Sequence, residues 1–380
     1  MSGTALVTGA TGLLGSQVAQ AFEARGWKTV GTGLTRASPP SIIKLDLLDA
    51  AAIERTLDEV NPDVIVHCMY SACETRPLRY TPPHHSSRSL SSPHTGAADR
   101  SPDSCSTNPD AARALNVEAA GTLTALAARR SIFTLYISTD YVFPGAPGEA
   151  PYAPLAPTSP PNTYGLTKWE GENAVLAAAA AATTTTTTTS AAENNDNKHS
   201  RPLAAVLRVP ILYGKAGKPS DSAVNCLVPL VQKAAALGPA AAKIQMDDYA
   251  LRYPTNTADV GRVCVDVCAL YTGRRRRSEP ADDNNKNPLP AHLPRILHFS
   301  SEDCKTKLDM CKVLAGVLGV GVEGLEPFRP SEAELRAEER GERVRRPFDC
   351  HLDTAETRAL GIDCGCVDFA EWWREELGRA

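Results

Sequence analysis

Tyr164 and Lys168 lie four residues apart in the stretch Tyr164-Gly165-Leu166-Thr167-Lys168, and their types and spacing suggest proton chemistry. On a helix that spacing puts both side chains on one face. A free phenol has a pKa near about 10, too high for efficient acid–base work at neutral pH. A lysine cation alongside it favours the phenolate and lowers that value. Upstream, Ile137-Ser138-Thr139-Asp140-Tyr141 closes an apolar run, and Thr139 is placed to hydrogen-bond a carbonyl while Tyr164 gives up a proton. Asn116, in the preceding helical stretch, suits a supporting role in the same polar network. The Tyr-x-x-x-Lys spacing alone recurs by chance; its place behind a strand ending in Ser-Thr gives it weight.

Proton transfer of this kind needs a hydride partner, and the N-terminus offers a site for one. Gly9-Ala10-Thr11-Gly12-Leu13-Leu14-Gly15 sits between the apolar run Thr4–Thr8 and an amphipathic stretch over 13–25. The first glycine permits a tight turn, the second lets backbone approach a pyrophosphate, and the third allows close helix–strand packing. The helix that starts near Gly12 turns its free N–H groups to the phosphates. Cofactor choice turns on the end of the second strand, where an acid binds the ribose hydroxyl of NAD and an arginine accepts the 2′-phosphate of NADP. The sequence there reads Gly31-Thr32-Gly33-Leu34-Thr35-Arg36, without an acid. Arg36 is therefore the candidate for NADP recognition, against the plainer reading of a solvated loop arginine. Asp46 and Leu47 follow the third strand toward the adenine. Cys68 ends the fourth strand on the ribose and nicotinamide path, and Lys168 can hold ribose hydroxyls.

The elements that must position these residues alternate. Strands are expected at 4–8, 28–32, 42–45, 64–68 and 134–138, and helices at 13–25, 51–59 and 111–130. Repeated βαβ units imply an α/β fold of Rossmann type: a doubly wound parallel sheet, with a smaller C-terminal α/β lobe. Residues 1–213 read as the NADP-binding domain and 257–300 as a segment returning to it. Residues 214–256 and 301–380 form the smaller substrate or partner lobe. Three stretches break the rhythm: 74–107, rich in Ser, Pro, His and Arg; 177–200, running from alanine through seven threonines into Asn and Asp; and 273–294, with Arg274-Arg275-Arg276-Arg277. All three read as disordered surface insertions, the arginine run as a solvated loop.

The net charge of −4 gives no electrostatic case for nucleic acid or an anionic membrane. No apolar run is long enough to span a bilayer, and the chain begins almost directly in a strand, so a cytoplasmic protein is expected. The eleven cysteines lack paired CxxC spacing, so free thiols and no metal site are expected.

The GxxGxxG spacing resembles the extended branch of the short-chain dehydrogenase/reductase superfamily. Leu6 to Gly15, with Ser138-Thr139-Asp140-Tyr141-Val142-Phe143, resembles the dTDP-4-dehydrorhamnose reductase family. Further stretches resemble its methionine adenosyltransferase regulatory β-subunit branch. These are Pro62-Asp63-Val64-Ile65-Val66-His67-Cys68, Asn108-Pro109-Asp110-Ala111-Ala112, Val206 to Gly214 and Arg252-Tyr253-Pro254-Thr255. The resemblance implies an NADP site built from Thr11, Gly12, Leu13, Leu14, Leu34, Thr35, Arg36, Asp46, Leu47, Cys68, Arg76, Tyr164 and Leu212. It implies a non-catalytic subunit that joins the catalytic methionine adenosyltransferase subunit and modulates S-adenosylmethionine synthesis. The alternative is an NADPH-dependent reductase of a 4-keto nucleotide sugar, with Thr139, Tyr164 and Lys168 catalytic. The intact Thr–Tyr–Lys set does not separate the two, because the β-subunit branch keeps this type of triad. Thr35 stands where that branch tends to carry another arginine.

Overall fold

In the computed structural model, residues 3–68, 102–187, 201–274 and 292–378 are described. The first half alternates: β1 (Thr4–Thr8), α1 (Leu13–Ala24), β2 (Lys28–Gly33), β3 (Ile42–Lys44), α2 (Ala50–Val60) and β4 (Val64–His67). Ala5 to Thr8 and all of β4 are buried, as near-continuous apolar runs must be when helices cover both faces of a parallel sheet. Helix α2 starts where the Asp49 carboxylate accepts from Ala52 N–H and stops at Asn61 in the left-handed region.

After β4 come α3 (Pro102–Thr107), α4 (Pro109–Arg113), a π-helical turn over Ala114–Ala119, α5 (Ala120–Ala128), β5 (Phe133–Thr139), α6 (Thr163–Thr187) and β6 (Ala204–Val209). The single helix expected over 111–130 is thus widened at Asn116. That turn gives the Asn116 carbonyl the Tyr136 hydroxyl as a donor at 3.2 Å. Helix α6 crosses this point so closely that a Cβ on Gly171 would lie 2.2 Å from the same carbonyl oxygen.

The remaining elements are β7 (Leu212–Tyr213), α7 (Leu227–Ala235), β8 (Ile244–Asp247), β9 (Thr255–Asn256), α8 (Thr257–Tyr271), β10 (Ile296–His298), α9 (Lys307–Leu318), β11 (Leu325–Phe328), α10 (Glu332–Glu339), α11 (Ala355–Ala359) and α12 (Phe369–Leu377). Seven strands form one parallel sheet in the order β10-β6-β5-β4-β1-β2-β3. The chain direction across the sheet reverses between β1 and β4, the position where such sheets open a crevice at their carboxyl ends. Helix α8 packs on α1. β8 pairs with β11 outside the main sheet. Around them Leu227, Val231, Leu308, Leu314, Phe369 and Trp373 build a second core.

Parts of all three expected insertions need correction. Helix α6 continues through Thr187, so residues 177–187 are helical rather than an insertion. The alanine run has the highest helix propensity of any residue type, and Ala179 packs into the core with Val175 and Tyr136. Pro102–Thr107 is also helical, and its Cys105 is fully buried. In the arginine run, Arg274 pairs with the Asp63 carboxylate and is not a free solvated charge. Residues 74–101, 188–200 and 275–291 of the expected insertions lie outside the described residues.

Candidate functional site

The glycine loop shows why its residues must be small. Gly9 has φ +67°, and a Cβ there would lie 2.2 Å from the Cys68 carbonyl oxygen. A Cβ on Gly15 would lie 2.2 Å from the Gly9 carbonyl oxygen, so the third glycine lets α1 close onto the loop. Gly12 caps α1 in an extended conformation and, without a side chain, makes no cap hydrogen bond to the first-turn N–H groups. The loop is latched to β2 by Ala10 N–H donating to Thr32 O at 3.0 Å. Gly31 and Gly33 on β2 permit this approach: added Cβ atoms would come 2.6 Å from Ala10 Cβ and 3.0 Å from Thr11 Cγ2. Sequence reasoning noted that β2 glycine pair only for lacking an acid, and its spacing was the available signal. The loop is a backbone cradle that fits a pyrophosphate at a helix N-terminus.

The other expected cofactor residues divide. Thr35 and Arg36 are exposed just beyond β2, and Leu34 is partly buried there. Asp46 is exposed, with one oxygen accepting from Leu48 N–H. Leu13, Leu14 and Leu212 bury their side chains in the main core, and Leu47 packs with Leu6 and Ile53, so these four can meet a ligand only through backbone or a side-chain edge. Cys68 lies fully buried under Gly9, and burial pushes its thiol well up, which keeps it protonated and not nucleophilic. Arg76 lies outside the described residues.

Thr139, Tyr164 and Lys168 are set by the meeting of β5 and α6. Tyr164 stands in the first turn of α6, edge-on to Tyr141 with ring centroids 6.0 Å apart. One turn on, the Lys168 ammonium donates to the Ile137 carbonyl on β5 at 2.7 Å and lies 4.1 Å from the Tyr136 ring centroid. Burial lowers its pKa to about 7, with the Glu172 carboxylate opposing the shift. His67, on β4, bonds Thr8 Oγ1 through Nδ1 at 2.7 Å. Burial, and then the Lys168 charge, lower His67 to about 3, so it is neutral at ordinary pH. Asn116 donates to Thr167 Oγ1 at 2.9 Å and so braces α6.

Sequence reasoning missed several residues here. Arg208 and Glu172 form a buried bidentate pair, at 2.9 and 2.7 Å. An arginine inside the apolar strand Ala204–Val209 was the signal, because a buried charge requires a partner. From the smaller lobe, buried Arg252 donates to Pro347 O at 3.1 Å and sets its guanidinium 5.9 Å from the Tyr141 ring. Burial, followed by the cations Arg252 and Arg346, lowers the Lys307 ammonium from its ordinary value. Arg252 and Arg346 thus act on both Lys307 and Tyr141, with the Asp247 carboxylate close to Arg252 and Lys307. Among the described residues no group of three or more His, Cys, Asp and Glu side chains could hold a metal ion.

A glycine cradle at a helix N-terminus, with tyrosine and lysine on the helix after β5, defines an NAD(P)-binding Rossmann fold of the extended short-chain dehydrogenase/reductase class. The family model described as RmlD substrate binding domain matches residues 94–379, and that of the NAD dependent epimerase/dehydratase family matches residues 5–81. The chain belongs to this RmlD-type family, on the branch of the methionine adenosyltransferase β subunits. The mouse protein named methionine adenosyltransferase 2 subunit beta is 32% identical, covering 94% of this chain and 82% of its own. The zebrafish (Danio rerio) protein of the same name is 32% identical over 98% of this chain and 89% of its own. Among solved structures, dTDP-4-dehydrorhamnose reductase from Bacillus anthracis in complex with NADP matches with TM-score 0.66 at 17% identity, covering 100% and 99% of the two chains. A Thermus thermophilus UDP-glucose 4-epimerase complexed with NAD matches with TM-score 0.64 at 16% identity, covering 98% of this chain and 96% of its own.

The buried lysine yields a prediction with a defined sign. The folded-state value of about 7 lies below the ordinary 10.5, so the fold disfavours the ammonium. That penalty is full below pH 7 and fades as pH rises toward the unfolded value. Lys168→Met should therefore stabilise the protein at pH 7, by about 1–3 kcal/mol, and the gain should shrink toward pH 10. The same variant should weaken dinucleotide binding. Thermal denaturation across pH, with cofactor titration by calorimetry, checks both; a loss of stability at pH 7 would contradict the assignment.

Proposed function

We propose that this chain is an NADP-binding regulatory subunit of methionine adenosyltransferase, a non-catalytic partner that modulates S-adenosylmethionine synthesis. What carries the reading is the similarity, over nearly the whole chain, to proteins named as the β subunit of that enzyme. The phosphate cradle supports a bound dinucleotide, held by Thr11, the first turn of α1 and residues beyond β2. When bound, a nicotinamide cofactor supplies hydride chemistry. In the regulatory reading it serves instead as a fixed part of the subunit. The absence of helices long and apolar enough to cross a membrane, among the described residues, is consistent with action in the cytoplasm.

NADP is preferred to NAD in this reading because Arg36 is exposed at the end of β2, with no carboxylate among Leu34, Thr35 and Arg36. A guanidinium there can pair with a 2′-phosphate and adds nothing for a ribose hydroxyl. Arg36→Ala should weaken NADP binding by about tenfold or more, the worth of one charge-assisted contact, and leave NAD affinity unchanged. Calorimetric titration with each dinucleotide decides this, and an equal loss for both would refute the role of Arg36.

A second reading, a reductase of a 4-keto nucleotide sugar, takes its support from the cations Arg252, Lys307 and Arg346, which act on one another or on Tyr141 and suit a phosphorylated ligand. The complete Thr139, Tyr164 and Lys168 set is common to both readings. In that reading Thr139 holds the carbonyl, Tyr164 gives it a proton, and Lys168 keeps the phenol acidic. The two readings part in a paired experiment with the purified full chain. The regulatory reading expects a stable complex with the methionine adenosyltransferase catalytic subunit and altered kinetics of that enzyme. Clean separation of the two proteins at micromolar concentration would sink it. The reductase reading expects NADPH oxidation with dTDP-4-keto-6-deoxy sugar, and no turnover would remove it.

A further inference from the structure

Asp140 follows directly after Thr139 and is 6% exposed, a carboxyl group inside the site that neither reading uses. The Thr139 hydroxyl donates to Asp140 Oδ1 at 2.9 Å and accepts from Tyr141 N–H at 3.3 Å. A hydroxyl has one proton and two lone pairs. With Asp140 ionised, that proton is committed, and Thr139 offers a ligand only a lone pair. With Asp140 protonated, the carboxyl O–H can donate to Thr139 Oγ1 and release the threonine proton to the cleft.

We propose that Asp140 is a positioning residue that sets whether Thr139 meets a ligand as a hydrogen-bond acceptor or as a donor. The ionised state suits a ligand with a hydroxyl, which donates to Thr139. The protonated state suits a carbonyl ligand, which accepts from it. The choice of ligand class at this position follows pH, and it does so whether the chain is a regulatory subunit or a reductase.

The surroundings place the switch in an accessible range. Burial pushes the Asp140 carboxyl up to about 6, against the Thr139 hydrogen bond, the Arg252 cation and backbone N–H groups. The ionisable groups that face this turn are Arg252 from the segment before β9, Cys350 from the C-terminal segment and Tyr141 on the turn itself. Arg346 acts on the same Tyr141. Burial raises both Cys350 and Tyr141, so Asp140 is the group that changes charge between the acid range and neutrality.

Infrared difference spectroscopy of the full chain tests this through the C=O stretch of the protonated carboxyl, assigned by its loss in Asp140→Asn. The wild-type band should disappear with a midpoint at about pH 6. Thr139→Val removes the donor that stabilises the anion, and should raise the midpoint by about one pH unit, a tenfold change in proton affinity. Thr139→Ser keeps the hydroxyl and should keep the wild-type midpoint, a rescue that a merely structural role for Thr139 would not produce. Thr139→Ala replaces the valine variant if that one does not fold. A wild-type midpoint near the ordinary carboxylate value of about 4, or equal midpoints in the presence and absence of the hydroxyl, would overturn the proposal.

Discussion

The buried ion pair between Arg208 and Glu172 is the constraint on which the geometry of the site depends. Both side chains are 2% exposed, so each has lost its water. Taking such charges from water costs several kcal/mol per ion, on the order that only close geometry offsets. Here the guanidinium meets both carboxylate oxygens, donates to Pro154 O at 3.0 Å, and stacks at 5.1 Å from the Phe143 ring centroid. His298 Nε2 on β10 lies 3.4 Å from the same nitrogen. One side chain therefore ties α6, β6, β10 and the loop after β5 together.

That commitment also sets the electrostatics next door. Glu172 is one helical turn beyond Lys168 and would be its natural counter-ion, but both of its oxygens face Arg208. Lys168 is left with a carbonyl and an aromatic face, a carbonyl at 2.7 Å and a ring at 4.1 Å. It keeps its charge poorly, and His67 beside it stays neutral. On the other side of the site Arg252 and the Asp140 carboxyl both act on Tyr141, and Asp140 is held by the Thr139 hydroxyl at 2.9 Å.

Packing at the glycines shows the same economy of space. Gly9 and Gly15 meet each other and the end of β4, while Gly31 and Gly33 admit the loop against β2. The cradle is made by backbone groups whose neighbours leave no room for a methyl group. Gly171 has the equivalent role where α6 crosses the π-helical turn at Asn116. The site is thus built of backbone N–H groups and one desolvated lysine in closely packed surroundings.

Much of this was legible in the sequence because it follows from local pattern. Runs of four or five residues marked β1 to β5, and the glycine spacing marked the loop between β1 and α1. The four-residue interval gave Tyr164 and Lys168 a shared face, for which helical period suffices. Alanine propensity, read as low complexity, hid the last turns of α6. Tertiary structure alone decided which charges meet: Arg208 with Glu172 across 36 positions, and Arg252 over the Tyr141 ring from more than a hundred positions on. Those pairings depend on through-space distance and lost hydration, which no periodicity in the chain encodes. The sequence determined the dinucleotide fold and its cradle; the folded chain determined which charges are paired beside it and which are left without a counter-ion.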